Sequence, residues 1–178
     1  EARDDLARTT GYLLVDIRAY RCALGYGGVS PPGAKREGDG TVPGGRFPLR
    51  QVLYRPDRRP PPATRLPVRE LDPDLVWCDD PTCGDYNRLV SLPHAGSYEP
   101  LWRDDNVYDL LAVVGYNDDP VVPGAGSAIF VHIARSGLTP TTGCIGVAID
   151  DLLELLEYIN PGAPVTAVSN PSPPSISG

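Results

Sequence analysis

"SAIFVHIARSGLTPTTGCIGV", residues 127–147, consists of two apolar runs on either side of a loop. The first run, 127–134, carries His132 near its end, and the second, 144–149, begins at Cys144. β-Branched and aromatic residues favour strands, whereas the Gly, Ser, Thr and Pro residues between the runs favour a turn. The pattern predicts two strands joined by a short connection. If the strands lie side by side, one of the chain's two histidines meets one of its four cysteines.

The rest of the chain indicates a mainly β architecture. Its 178 residues include 21 Pro and 19 Gly, spread between short apolar runs, which is typical of many short strands in a single domain. Further strands are predicted within 11–25, 35–55 and 107–117, and an edge strand at 164–168. The pattern in 68–106 does not assign clear elements.

One helix is predicted, at 150–159, where "DDLLELLEYI" has a broad apolar face. Asp150 or Asp151 is expected to cap it, and "NPG" at 160–162 ends it. The domain is expected to span 11–168, with disordered tails on either side at 1–10 and 169–178.

The charge pattern excludes some classes of partner. A formal net charge of −7 disfavours nucleic acid, because proteins that bind it normally present a basic face. The basic clusters "KRE" at 35–37 and "RPDRR" at 55–59 are interpreted as charged surface loops. No apolar stretch is long enough to span a bilayer, so no integral membrane segment is predicted.

Cysteine next to histidine suggests nucleophilic chemistry. Cysteine attacks as the thiolate, and His132 can take the proton of Cys144. Such a thiol is expected to react below the pH at which an ordinary thiol does. Gly143 permits backbone N–H groups to approach a developing oxyanion. From spacing alone, the alternative remains that Cys144 is a small buried hydrophobic residue and His132 a core residue with satisfied hydrogen bonds.

The sequence around His132 and Cys144 resembles the catalytic domain of the L,D-transpeptidases, the YkuD family. In that family a histidine is followed, after a loop, by a Ser/Thr-x-Gly-Cys turn, as in "HIARSGLTPTTGC". "VGYNDDPVVPGAG" upstream, "KREGDGTVPGGRFPLRQVLYR" nearer the start, and "WCDDP", "YNR" and "LWRDDNVYDL" extend the similarity. It covers most of residues 11–160.

The resemblance implies a β-sandwich or open barrel with mixed α+β content and one late helix. It implies a cysteine acyltransferase of peptidoglycan synthesis, which acts on stem tetrapeptides and forms 3–3 crosslinks or anchors a protein to the cell wall. Cys144 would be the nucleophile, His132 the base, and the N–H groups of Gly143 and Cys144 the oxyanion donors. No metal or organic cofactor is expected. The expected location is the periplasm or cell envelope, and the expected state is a monomer.

Four residues are candidates for substrate binding. Arg135 can supply a positive charge for the carboxylates of the stem. Thr141 and Thr142 occupy the Ser/Thr part of the motif, although loop hydroxyls also bond their own backbone. Tyr116 lies in the "VGYNDDP" region of the similarity.

Two departures from the family pattern leave other functions open. Many members have Gly directly after the histidine, where this chain has Ile133, and Arg or Asn two residues after the cysteine, where it has Gly146. One alternative is an L,D-carboxypeptidase or amidase that uses the same Cys–His pair with water as acceptor. Another is a peptidoglycan-binding module without catalytic activity.

The other cysteines suggest structural roles. The spacing of Cys78 and Cys83 allows a small-loop disulfide, favoured if the protein is exported, or two reduced thiols. Cys22 is interpreted as a buried small residue. Only one short Cys pair exists, so the spacing disfavours a zinc site. His94 is placed on a loop, either solvated or beside the substrate groove.

Overall fold

The computed structural model describes residues 7–170, which form a mainly β structure with a late α-helix of ten residues. The strands are β1 (Thr10–Val15), β2 (Arg18–Ala23), β3 (Val29–Ser30), β4 (Val42–Pro43), β5 (Phe47–Tyr54), β6 (Val68–Glu70), β7 (Leu75–Cys78), β8 (Leu89–Ser91), β9 (Tyr98–Pro100), β10 (Leu110–Val114), β11 (Phe130–Ile133), β12 (Ile145–Val147) and β13 (Pro164–Ser169). The helix α1 is Ile149–Tyr158. The predicted mainly β fold with one late helix is confirmed.

Seven strands close into a barrel. Their order is β10–β11–β12–β2–β1–β13–β5, and pairing between β5 and β10 completes the ring. Within the ring every pair is antiparallel except β11 and β12, which run parallel. The prediction of an edge strand at 164–168 is wrong, because β13 lies between β1 and β5 and a closed ring leaves no edge there.

The first hydrophobic core fills the barrel. Because side chains alternate along a strand, Leu110, Ala112 and Val114 of β10 join this core, whereas Leu111 and Val113 face the other way. Every strand of the ring contributes buried apolar residues to it, and so does the apolar face of α1. The core therefore ties the helix to the barrel.

The second core lies on the outer face of β10 and β11. There a separate sheet, β8–β7–β9, covers Leu111 and Phe130. The rings of Trp77 and Tyr108 contact Phe130 edge-on, with centroids 5.2 and 5.8 Å away. Because His132 follows Phe130 by two residues on β11, it shares this face and lies between the barrel and the small sheet.

α1 begins differently from the prediction. Its N-cap is Ala148, and no side chain caps it, so neither Asp150 nor Asp151 is the cap. Both carboxylates lie in the first turn, where they favour the positive end of the helix dipole. Between residues 7 and 170 no helix is long and apolar enough to cross a membrane.

Other differences follow from tertiary packing. The strands β6, β7, β8 and β9 lie in the 68–106 region that the pattern left unassigned. The two basic clusters are not simple surface loops, since Lys35 and Arg55 are each only 4% exposed. Arg55 pairs with Asp57 at 2.8 Å and stacks on Trp102 at 3.6 Å, which satisfies its buried charge.

The predicted domain ends remain predictions. β1 begins at Thr10 and β13 ends at Ser169, one residue outside each end of the expected span 11–168. Most of the expected tails, at 1–6 and 171–178, lies outside the described residues.

We expect Leu156→Ala to lower the free energy of unfolding by about 2–5 kcal/mol, because the side chain of Leu156 is fully buried where α1 packs on the barrel. Leu153→Ala on the same helix is the matched control, since Leu153 is only partly buried and the change in helix propensity is identical. Urea unfolding monitored by circular dichroism measures both. Equal losses in the two variants would contradict this account of the helix packing.

Candidate active site

His132 and Cys144 come together through the parallel pairing of β11 and β12. In that register His132 lies opposite Gly146, and Cys144 directly precedes β12. Both residues are nearly buried, with exposures of 3% and 7%. The predicted arrangement of the two strands side by side is therefore confirmed, and the two side chains line a common cleft.

Two clefts adjoin Cys144 and share several walls. The histidine-side cleft is lined by Glu99, Arg103, Val107, Tyr108, His132, Arg135, Pro140, Thr141, Thr142 and Cys144. The lysine-side cleft is lined by Lys35, Glu37, Gly38, Asp79, Glu99, Tyr108, Ser127, Ala128, Ile129, Thr142, Gly143 and Cys144. Cys144 thus stands where an extended ligand can pass from one cleft to the other.

The orientation of His132 defines its tautomer. Its Nδ1 lies 2.9 Å from the carbonyl oxygen of Ile133, which only accepts, so Nδ1 carries the proton and Nε2 the lone pair. The ring also packs edge-on against Tyr108, with centroids 5.4 Å apart. Burial lowers the pKa of His132 from 6.5 to about 4, with Arg135 acting in the same direction and the Ile133 hydrogen bond opposing it. The imidazole is therefore neutral at pH 7.

The Cys144 thiol is also neutral at rest. Its Sγ donates to the carbonyl oxygen of Ala128 at 3.1 Å. Burial raises the pKa of the thiol to about 12, although the backbone of Phe130 and the charge of Lys35 act in the opposite direction. Desolvation outweighs these groups in the resting protein and opposes reaction at unusually low pH, which stays a prediction. A thiol beside a neutral base suits proton transfer during attack.

Thr141 shapes the turn that presents Cys144. Its hydroxyl donates to the Cys144 carbonyl at 2.6 Å and accepts from the Gly143 N–H at 3.2 Å, and its own N–H donates to Leu24 O at 2.9 Å. Gly143 has φ of 134°, in the region that favours glycine. For Thr141 the structure matches the alternative of a loop hydroxyl that bonds its own backbone.

The other predicted substrate residues separate into two groups. Thr142 is exposed and lines both clefts, and Arg135 is exposed in the histidine-side cleft, 3.1 Å from Asp105. Tyr116 lines neither cleft. Its hydroxyl donates to Ala125 O at 2.7 Å, so it fastens the loop after β10 rather than facing Cys144.

Sequence reasoning did not identify Tyr108 and Glu99, which stand between the two clefts. The Tyr108 hydroxyl donates to Glu99 Oε1 at 3.0 Å. Burial raises the pKa of both groups. The pKa of Tyr108 lies well above its usual value of 10, so its hydroxyl stays protonated. Glu99 belongs to β9, in the unassigned region, so only the docking of the small sheet reveals it.

Lys35 is the other missed residue. Its Nζ donates to Asp39 Oδ1 at 2.8 Å, and the pair lies beside the Gly143 turn. Burial disfavours the Asp39 carboxylate, but hydrogen bonds from Lys35 and from neighbouring backbone and hydroxyl groups lower the pKa of Asp39 to about 2. Its position in "KRE", among residues interpreted as a surface loop, concealed this buried charge.

Packing accounts for the departure at Gly146. A Cβ there would lie 3.2 Å from Ala134 Cα and 3.5 Å from Ala23 Cβ. Gly146 also pairs with strands on both sides, β11 and β2. A larger side chain at residue 146 would therefore need Ala134 and Ala23 to give way.

The fold and the site together define a closed β-barrel with a buried cysteine–histidine pair at the junction of two polar clefts. The profile of the YkuD family, the L,D-transpeptidase catalytic domain, matches residues 8–166. The chain belongs to this family of domains that act on peptidoglycan. No curated protein and no solved structure gives a significant match.

We expect His132 to make the protein sensitive to acid. Because its folded pKa of about 4 lies below the unfolded 6.5, the unfolded state binds the extra proton first, so stability falls as pH drops through this range. At about 1.4 kcal/mol per pH unit, the full loss is about 3 kcal/mol. Urea unfolding at pH 6.5 and 4.5 should show wild type losing about 2–3 kcal/mol more than His132→Gln. Parallel losses in the two proteins would refute a buried neutral imidazole.

Proposed function

We propose that this chain is a cysteine L,D-transpeptidase that acts on peptidoglycan stem tetrapeptides through a thioester on Cys144. The observation that carries the proposal is the shared cleft of His132 and Cys144, in which the Ile133 carbonyl leaves the Nε2 lone pair of His132 as the acceptor. The family provides the reaction class. The proposed location is the periplasm or cell envelope, and the proposed state is a monomer.

In the first half-reaction Cys144 Sγ attacks the carbonyl carbon of the third stem residue, and its proton passes to His132 Nε2. A C–S bond forms, and the amide bond to the terminal D-Ala breaks. His132 then gives the proton to the departing amine. Because both groups begin neutral, no separated charges have to be stored in the buried site before substrate arrives.

In the second half-reaction a side-chain amine attacks the thioester. The C–S bond breaks, His132 takes the amine proton and returns it to Sγ, and a new amide remains. An amine from a second stem gives a 3–3 crosslink, and an amine on a protein gives an anchored protein. Transfer outcompetes hydrolysis if the amine is held closer to the thioester than water.

Hydrogen-bond donors and positive charge near the reacting carbonyl of the substrate would stabilise the negatively charged tetrahedral intermediate. We assign the oxyanion to the N–H groups of Gly143 and Cys144, which requires Gly143 to give up its long hydrogen bond to Thr141. Lys35 lies on the same side of the turn and brings a positive charge into a site with little water. Asp39 holds Lys35 in place before substrate binds, which suits electrostatic catalysis.

The two clefts differ in charge in a way that suits a stem peptide. Arg135 in the histidine-side cleft is accessible to a carboxylate, and Thr142 can bond the peptide backbone between the clefts. Glu37, Asp79 and Glu99 in the lysine-side cleft favour a cationic amine. We therefore place the acceptor in the lysine-side cleft.

Two rivals share part of this geometry. A carboxypeptidase or amidase would use the same Cys144 and His132 with water as acceptor. A binding module without activity is favoured by Gly146, which lacks the post-cysteine side chain common in the family. The acidic wall of the lysine-side cleft favours an amine over water, and the retained Cys–His pair favours catalysis over binding alone.

The decisive assay incubates the protein with a disaccharide-tetrapeptide and measures products by mass spectrometry. We expect a crosslinked dimer and free D-Ala from wild type, and neither from Cys144→Ala, because the thioester cannot form. Cys22→Ala is the control for loss of a thiol, since Cys22 is buried inside the barrel core. D-Ala without dimer would establish the hydrolytic rival, and no turnover by wild type would favour a binding module.

Lys35→Met should slow alkylation of Cys144 at fixed pH by about tenfold or less, because loss of the Lys35 charge raises the pKa of the thiol further. The reason is that Lys35 lowers the pKa of Cys144 through its charge. The rate is followed with iodoacetamide and assigned to Cys144 by peptide mass spectrometry. Lys35→Arg should keep most of the rate, and Arg36→Met, at the exposed neighbour, should not change it. Equal rates in Lys35→Met and wild type would remove Lys35 from the site.

A further inference from the structure

A second cluster of reactive side chains lies on the small sheet, away from the Cys144–His132 pair. Cys78 ends β7, Cys83 lies in the following loop, and His94 lies in the loop between β8 and β9. Their two Sγ atoms and the His94 ring nitrogen lie within 4.8 Å of one another. Among residues 7–170 this is the one group of three or more Cys, His, Asp or Glu side chains close enough to hold a metal ion.

The distances suit a tetrahedral ion. Zinc bonds sulfur at about 2.3 Å and nitrogen at about 2.0–2.1 Å, so neighbouring ligands in a tetrahedron stand about 3.5–3.8 Å apart. Cys83 Sγ lies 3.8 Å from His94 Nε2, and the two sulfurs are not joined in a disulfide. A ligand set of thiolates and imidazole favours zinc over magnesium, calcium or manganese, which prefer oxygen ligands.

A carboxylate lies close to His94. Asp80 Oδ2 and His94 Nε2 both lie about 3 Å from the position that a Cβ on Gly96 would take, at 2.9 and 3.1 Å. A side chain at residue 96 would therefore separate them. The other oxygen of Asp80 accepts from the Thr82 N–H and hydroxyl at 2.9 and 2.7 Å, which fixes the carboxylate.

We propose that Cys78, Cys83 and His94 bind one Zn²⁺, with Asp80 or water as the fourth ligand. Binding releases the two thiol protons to solvent, and the two thiolates balance the charge of the ion. The sequence disfavoured zinc because it offers only one short Cys pair, so a third ligand has to come from outside that pair, and this ligand is His94. The fold supplies it by returning the β8–β9 loop to the end of β7.

The proposed metal site adjoins the strand that carries Glu99 into the two clefts. Cys78 on β7 pairs with Tyr98 at the start of β9, and the next residue, Glu99, lines both clefts beside Cys144. A metal that ties β7, its following loop and the chain entering β9 would hold Glu99 in place. This is a structural role, and it holds whether or not the chain is a transpeptidase.

The test measures bound metal in the whole chain. Protein reduced, loaded with ZnCl₂ and dialysed without chelator is analysed for zinc, and Co²⁺ replacement is followed by its thiolate charge-transfer absorption. His94→Ala and Cys83→Ser each remove one ligand from a half-buried loop position. Cys144→Ala and Cys22→Ala are the matched controls, because each removes a cysteine outside the cluster.

We expect one zinc per chain in wild type and in both controls. Affinity should fall more than about 100-fold in His94→Ala and Cys83→Ser, because even outer partners of a metal ligand contribute 10–100-fold. Loss of zinc in Cys144→Ala but not in His94→Ala would assign the metal to the catalytic pair and overturn the proposal. The proposal would also be overturned if the protein took up no zinc after any Cys78–Cys83 disulfide had been reduced. Binding of copper but not zinc would overturn it as well.

Discussion

The parallel pairing of β11 with β12 is the constraint on which the site depends. It places His132 and the turn before β12 on neighbouring strands, and the closed ring of seven strands holds those strands in register. A parallel pair needs a connection that crosses back, and residues 134–143 supply it as the loop that borders the histidine-side cleft. The same strand contacts that stabilise the barrel therefore position the chemistry.

Burial decides the protonation of that pair. The outer face of β11 is covered by the small sheet, and the loss of water lowers the pKa of His132 and raises that of Cys144. Both groups stay neutral, and the fixed Nδ1–H of His132 leaves the lone pair on Nε2. Lys35 counteracts part of the desolvation of Cys144, so a buried charge in a neighbouring loop adjusts the reactivity of the thiol.

The small sheet contributes more to the site than a cover. It carries Glu99 into both clefts and sets Tyr108 between Glu99 and His132. The cluster of Cys78, Cys83 and His94 includes Cys78, which pairs with Tyr98, the residue directly before Glu99. A metal there and a substrate at Cys144 would act on one rigid unit.

Much of this protein follows from its sequence alone. Alternation and turn residues predict a mainly β domain, the apolar face of 150–159 predicts the helix, and the motif around His132 and Cys144 predicts the pair, because all three are local patterns. The burial of Lys35, the approach of Glu99 and Tyr108, the closed position of β13 and the meeting of His94 with Cys83 were decided by the tertiary structure. Each depends on how strands and loops pack in three dimensions, and no local pattern records which strands pair.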